Sequence, residues 1–241
     1  MTRYAPLAAG ALIVLAACRP AAPPAVNAIP ADTTAAAIVD LRQLRAAPAF
    51  ASLPPVVRSL AAPLAQAREL VVAWNGTDLL LLAAGKFDAP PSGYTMIGAG
   101  IAAAGFSSRL DAARKALASG TPNALPFPVS AAEIRAVIRS DGKLPLTGNL
   151  ANALNLLRTP ETTTVTAHLD STVEIEIVGQ CDSAERSIQL EDTANGAVTL
   201  ARSAVRDPDL QELLHSLRVS RESRQVRVNL VAPAHALEKI W

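Results

Sequence analysis

The residue types that could bind a metal or act as nucleophiles are sparse in this chain of 241 residues. There are two cysteines, Cys18 and Cys181, and three histidines, His168, His215 and His235. The histidines are widely separated, and none of them forms a pair at helical or zinc-finger spacing. The sequence therefore predicts no metal site.

Two short motifs invite a catalytic or cofactor interpretation. Gly98-Ala-Gly100 with Gly105 has the spacing GxGxxxxG, whereas dinucleotide-binding loops have GxGxxG. Ser140-Asp-Gly-Lys143 matches an SxxK pattern, but we expect Ser140 at the end of a helix, and the partner motifs SDN and KTG are absent. We therefore expect no catalytic, cofactor-binding or metal-binding residue and no enzymatic activity.

Single reactive side chains favour structural roles. His168 follows Thr164 and Thr166 on what we expect to be the polar face of a strand, which predicts a solvated or ion-paired histidine. Cys181 lies between a predicted strand and a predicted helix, where the helix dipole could lower the pKa of its thiol. Packing beneath the helix is the alternative. We leave the role of Cys181 unassigned.

The composition argues against two classes of ligand. Half of the residues are hydrophobic but 3% are aromatic, which disfavours stacking platforms for bases or sugars. The 22 basic and 21 acidic residues are spread along the chain without a long basic run, so we expect no nucleic-acid partner.

The N-terminus has the anatomy of a signal segment. Arg3 gives a positive start, and residues 7–17 form an uncharged apolar run that Arg19-Pro20 ends. This run is shorter than the roughly 20 apolar residues that a spanning helix needs. We predict that residues 1–17 are removed.

The run closes with Leu15-Ala-Ala-Cys18, which resembles the lipobox of bacterial lipoproteins. The resemblance covers residues 1–18 and implies diacylglyceryl transfer to the Cys18 thiol, cleavage before Cys18, and acylation of the new amine, typically with palmitate. The alternative is an ordinary secretory signal with Cys18 there by chance. If Cys18 is acylated, Cys181 has no intramolecular partner and a disulfide framework is excluded.

The residue after the acceptor bears on which membrane holds the anchor. In Gram-negative lipoproteins, Asp at that position favours the inner membrane, and here Arg19 follows Cys18. The resemblance thus implies a cell-envelope protein, at the periplasmic face of the outer membrane if the source is Gram-negative.

Proline-rich stretches divide the rest of the chain. Residues 18–31 are rich in Pro and Ala and predict an extended tether. Residues 32–120 and 129–241 form two predicted halves, separated by a linker at 121–128 with three prolines. The halves could be a diverged repeat, although no residue-level similarity proves it.

In the first half we predict a strand from Ala35, a kinked helix over 48–67, and a hairpin whose Asn75-Gly76 favours a type I′ turn. Leu79–Leu82 is apolar on both faces, which predicts a central strand with all four leucines equally buried; an exposed partner surface is the rival. Residues 94–106 predict one strand, and a helix follows from Ser107 or Ser108 to Ala118.

In the second half, Ser130-Ala-Ala-Glu133 resembles a capping box and predicts a helix to Arg139. Residues 161–169 and 173–177 predict a hairpin in which Leu169 faces Val173. That register sets His168 opposite Glu174, and Thr166 opposite Glu176, on an outer face. Further along we predict a helix over 182–205, which an interruption near 195–196 would divide, and a second helix from Asp207-Pro208. Strands at 217–219 and 226–230 follow, and then a closing helix over 233–241.

Parity also places four polar or charged residues of the last strand pair on its outer face: Arg218, Ser220, Gln225 and Arg227. If this pair adjoins the hairpin, the glutamates lie near these arginines. Strands and helices come in clusters, so the fold class is α+β, with mainly antiparallel sheet and helices packed on one side.

Three function classes fit these predictions. The leading one is a membrane-anchored, non-catalytic envelope lipoprotein that presents its α+β domain for protein interaction or assembly. The alternative is a carrier or sensor of an apolar ligand or lipid, suggested by the abundant Leu, Val and Ala. The third is an enzyme whose site the sequence does not reveal.

Overall fold

The computed structural model describes residues 24–53, 58, 62–121, 123–141 and 159–234. The predicted signal segment and its acceptor Cys18 lie outside the described residues, as do Lys143 and His235. Within the described ranges, ten strands form one sheet in the order β4-β5-β3-β2-β1-β6-β7-β8-β10-β9, and each neighbouring pair is antiparallel. The α+β class with mainly antiparallel sheet is confirmed.

The strands are β1 Ala35–Asp40, β2 Ala67–Trp74, β3 Leu79–Gly85, β4 Thr95–Gly98, β5 Ile101–Gly105, β6 Ile134–Arg139, β7 Thr162–Leu169, β8 Thr172–Gln180, β9 Arg218–Glu222 and β10 Gln225–Pro233. The helices are α1 Leu41–Ala46, α2 Ser107–Ser119, α3 Ala184–Ala204 and α4 Pro208–Ser216, with 3₁₀ helices at Ala25–Ala28, Pro48–Ser52 and Ala62–Leu64.

The two halves of the chain repeat one strand order. Counted from the centre of the sheet, β1–β5 lie in the order first, second, third, fifth, fourth, and β6–β10 lie in the same order. The halves join where β1 pairs with β6, with Ala36 opposite Val137. The similarity of the halves therefore lies in topology, and the joint removes the free edge that β1 would otherwise expose.

We expected the helices on one side of the sheet, and the structure places them on both. Helix α2 packs over Val71, Leu80 and Ala103, a side that we call the α2 face. Helix α3 packs over Gly179 on the opposite side, the α3 face, and α1 covers Leu70 on that same face. Both faces need cover because the central strands are apolar on both.

The prediction of a tether over residues 18–31 is wrong for residues 24–31. Ala25, Ala28 and Ile29 are buried against the α2 face. The backbone N–H of Ala25 also donates a hydrogen bond to Glu69 Oε1, 2.8 Å away. Small apolar side chains fit closely under α2, so burial holds this proline-containing segment on the sheet.

The predicted helix from Ser130 to Arg139 is also wrong, because these residues lead into and form β6. Ser130 Oγ accepts a hydrogen bond from the Ala132 N–H, and the Glu133 carboxylate accepts one from the Leu169 N–H. The side chains that resemble a capping box thus bind a turn and a neighbouring strand. Pairing with β1 and β7 on both sides outweighs the local helix signal.

The first hairpin is confirmed, but its turn is not type I′. Trp74 pairs with Leu79, and Asn75 Oδ1 accepts hydrogen bonds from two N–H groups of a four-residue loop. Gly76 has a φ of +100°, while Asn75 is not among the residues with positive φ. Residues 94–106, predicted as one strand, contain the β4–β5 hairpin. The kinked helix predicted over residues 48–67 instead shows 3₁₀ helices at Pro48–Ser52 and Ala62–Leu64.

From residue 161 onward, the described elements agree with the predicted order. Leu169 pairs with Val173, His168 with Glu174 and Thr166 with Glu176, which confirms the register. Helix α3 is continuous through residues 195–196, and α4 begins at the predicted Asp207 cap. Strand β10 extends to Pro233, and the rest of the predicted closing helix lies outside the described residues, apart from Ala234.

Candidate functional site

A partly exposed apolar surface lies on the α3 face, between α1 and α3. We call it the open band; it consists of Ala35, Ala37, Val72, Trp74, Leu79, Ala136 and Ile138, which line a shallow recess of about 260 Å³. Leu79 is 43% exposed, and Trp74 and Ile138 are half-buried.

Strand register explains why this surface is continuous. Leu79, Trp74, Ala35, Ile138 and Thr163 lie opposite one another on five successive strands, so all five side chains point to one face. The row continues to residue 179 under α3. The uncovered part is therefore a gap between two helix-covered parts of one apolar face.

The prediction that Leu79–Leu82 is buried on both faces is half wrong. Leu80 and Leu82 are fully buried under α2, but Leu79 is exposed and Leu81 is half-buried. Strand β3 is central, as predicted, since it lies between β2 and β5. The exposed side then corresponds to the rival interpretation of this run as a partner surface.

A separate apolar pocket of about 290 Å³ lies between α3 and the sheet. Its floor is formed by Ile177, Val226 and Val228 of the strands, and its roof by side chains of α3 that include Leu190 and Ala194. Beside it, a small buried cluster of Cys181, Leu190 and Val226 holds the start of α3 on the sheet.

The opposite side of the C-terminal sheet is polar. Glu176 and Arg227 form an ion pair across β8 and β10, which agrees with the prediction that the glutamates lie near the arginines. His168 is 46% exposed, and its Nδ1 lies 3.8 Å from Glu133 Oε2. This face holds a solvated ion-pair stripe, and among the described residues no group of three or more His, Cys, Asp or Glu could hold a metal ion.

Cys181 is packed under α3 and is fully buried. Burial raises the pKa of its thiol, and the nearby Asp182 carboxylate acts in the same direction. The net direction therefore favours the protonated thiol, the opposite of an activated cysteine. A protonated, buried thiol is a poor nucleophile.

An ion pair that was not predicted lies near the first strand and joins the buried Arg109 to the exposed Asp32. Arg109 of α2 is 3% exposed, and its Nη1 lies 2.7 Å from Asp32 Oδ1. Burial alone would raise the pKa of Asp32, but hydrogen bonds from Arg109 and Asn75 and the charge of Arg109 together hold it below the ordinary value. An arginine in the first turn of a helix gives no sequence signal that it will be buried.

The residues of the two weak motifs have local structural surroundings. Gly100 has a φ of +70° in the β4–β5 turn, and a Cβ at Gly98 would lie 2.5 Å from Leu117 Cδ2. Ser140 follows β6, and its N–H donates to the carbonyl of Glu161. The structure thus places Ser140 after a strand, where we expected the end of a helix.

These observations define a class: an α+β domain built on one antiparallel sheet, with an open apolar band on one face. Its described helices include none with the length and apolarity to cross a bilayer. A scan against protein-family models found no match, and neither did a search of the curated proteins.

Solved structures of the protein TP0453 have a similar fold. Its crystal form III matches with a TM-score of 0.53 at 8% identity, over 89% of this chain and 96% of that one. Crystal form I matches with a TM-score of 0.50 at 9% identity, over 91% and 97%. At this identity the likeness is one of fold alone.

Proposed function

We propose that this protein is a non-catalytic lipoprotein of the bacterial cell envelope whose open band binds a partner protein. The anchor is the acylated Cys18, and Arg19 after it favours the periplasmic face of the outer membrane in a Gram-negative cell. The observation that carries the binding role is the exposure of Leu79 beside Trp74 and Ile138 on an otherwise covered sheet face.

The chemistry of the band suits an apolar helix of a partner. Ala35, Ala37 and Ala136 form a shallow floor, with the larger Trp74 and Ile138 beside it. Helices of this chain already cover the same face on both sides of the gap. An amphipathic helix of an envelope protein would complete the layer by burying its apolar face.

The composition and the polar face are consistent with a binding role. The balanced charge gives no field that would attract nucleic acid. His168, Glu174, Glu176 and Arg227, the candidates for polar chemistry on the other face, are committed to cross-strand neighbours or exposed to solvent. The apolar band is therefore a surface whose burial would contribute to binding.

A matched pair of arginine substitutions tests this proposal. Leu79→Arg places a charge in the band, while Val231→Arg places one on the opposite face at a valine that is 47% exposed. Each variant and the wild type are purified from membranes with the lipid anchor in place, and bound proteins are quantified by mass spectrometry.

We expect one protein to copurify in fixed proportion with the wild type and with Val231→Arg, and to fall at least tenfold with Leu79→Arg. Loss of the same protein from both variants, or its retention by Leu79→Arg, would contradict the assignment of the band. If no protein copurifies with the wild type, the proposal that this chain binds a partner protein is contradicted.

A further inference from the structure

We propose that the pocket beneath α3 is a binding site for one unbranched alkyl chain. It is distinct from the open band and does not depend on the proposed partner. The two surfaces meet between strands β6 and β7. Ile138 of β6 lines the band, and its cross-strand neighbour Thr163 of β7 lines the pocket.

The lining of the pocket defines the chemistry of its ligand. Ten of its residues are apolar or glycine, and the remaining one is Thr163: Pro160, Thr163, Ile177, Gly179, Leu190, Ala194, Ala197, Val198, Leu217, Val226 and Val228. None of the described residues that line the pocket is charged or aromatic. A hydrocarbon chain fits such walls, whereas a polar or ionic ligand would lose its hydration without gaining partners.

The volume of the pocket matches one alkyl chain. About 290 Å³ corresponds to the liquid volume of roughly ten water molecules at about 30 Å³ each. Because a methylene group occupies nearly the volume of a water molecule, the space fits an alkyl chain of roughly ten carbons. Two chains of that length would need about twice this volume.

The pattern of burial along α3 shows where a chain enters. Leu190 and Ala194 are buried, so the pocket is closed toward the start of the helix. Ala197 also lines the pocket but is exposed, so the mouth lies one turn further along. The polar end of a ligand would therefore remain in solvent near Ala197.

The contacts of α3 leave the pocket unfilled from within the described chain. The helix is held at its start by the buried cluster with Cys181, and near its end by Arg202, which donates to the carbonyls of Leu214 and Leu217. Between these two attachments the helix and sheet enclose space. Filling that space with hydrocarbon restores dispersion contacts that an empty apolar cavity lacks.

A pocket-filling substitution tests the site. Ala197→Phe places a ring at the mouth, and Ala204→Phe places the same ring at the exposed end of α3. The protein is residues 19–241, which contain every described residue and omit the lipid-bearing Cys18. The probe is 11-(dansylamino)undecanoic acid, whose fluorescence rises in apolar surroundings, and decanoic acid and decanol compete with it.

We expect one probe molecule per wild-type chain, unchanged binding to Ala204→Phe, and at least tenfold weaker binding to Ala197→Phe. Both competitors should displace the probe, since the chain and not the head group is recognised. If Ala197→Phe lowers the unfolding midpoint so far that it cannot be titrated, Val198→Phe replaces it. Equal binding to the pocket variant, or no saturable binding to the wild type, would overturn the proposal. The band variant Leu79→Arg should bind the probe normally, which separates this site from the proposed partner surface.

Discussion

Asp32 and Arg109 illustrate how one buried charge can depend on a more exposed partner. Arg109 is 3% exposed, and its Nε is buried without a hydrogen-bond partner in the described structure, while the Asp32 side chain is 59% exposed. Because the pKa of Asp32 is lowered in the folded state, its ionised form contributes stability above the unfolded value near 3.8, and this contribution is lost as the pH falls through the folded pKa.

We therefore expect the stability difference between wild type and Asp32→Asn to be full at pH 6 and to shrink below pH about 3.8. Urea unfolding at pH 6, 4 and 3 measures it. The double variant Asp32→Asn/Arg109→Met serves as the control, because replacing both members of an ion pair with uncharged side chains of similar size is often well tolerated. A difference that stays constant, or grows, on acidification would contradict the role given to this pair.

The two cysteines allow a direct chemical count. Cys181 is buried and its thiol pKa is raised by desolvation, so we expect it to react slowly with a maleimide in the native protein. After unfolding in urea, the membrane-purified protein should show one reactive thiol per chain, because the Cys18 sulfur is expected to be a thioether. The Cys181→Ala variant should then show none. Two reactive thiols in the unfolded wild type would contradict acylation of Cys18.

At the level of elements, β6 is the clearest case in which local signals mislead. Ser130 and Glu133 have the spacing of a capping box, yet their side chains bind a turn and β7. The alternation of Val137 with its neighbours fits a strand, but a run of six residues is too short for periodicity alone to decide. Tertiary pairing on both sides decided the outcome, and no single sequence displays that pairing.

If Glu133 binds a neighbouring strand and Ser130 binds only a turn, the two side chains should contribute differently to the free energy of unfolding. Glu133→Ala removes the acceptor for the Leu169 N–H and should destabilise the protein by about 1–3 kcal/mol. Ser130→Ala should cost no more than about 0.5 kcal/mol, since it alters one hydrogen bond within a half-buried turn outside the strands. Urea unfolding midpoints compare the two. A larger cost for Ser130→Ala would indicate that capping matters more than the strand contact.

Other elements followed from rules that act over a few residues. The register of β7 and β8 came from parity, because an error of one residue would turn every apolar side chain outward. The start of α4 followed from Asp207-Pro208, whose carboxylate accepts hydrogen bonds from the first helical N–H groups. Both features depend on residues that are close together in the chain, so the sequence alone is enough to predict them.

At the scale of the whole molecule, the sequence predicted the class of fold but not how its halves meet. The composition and clustering of elements indicate α+β, whereas the pairing of β1 with β6 joins residues about a hundred positions apart. The open band arises from that pairing, since Ala35 and Ile138 are neighbours only because the halves share a sheet. The sequence therefore indicated only one part of the candidate site, the run Leu79–Leu82, which is apolar on both faces of its strand.

The most direct test of the proposed function is photo-crosslinking in living cells from a benzoylphenylalanine placed at position 79. We predict an adduct between this protein and one envelope protein, absent when the same group replaces Val231 on the opposite face. We also predict that Cys18→Ala, which removes the anchor, abolishes this adduct. Crosslinks that form only within the chain, for instance to residues 142–158, or adducts that are the same from both positions, would contradict the claim that the open band binds a partner.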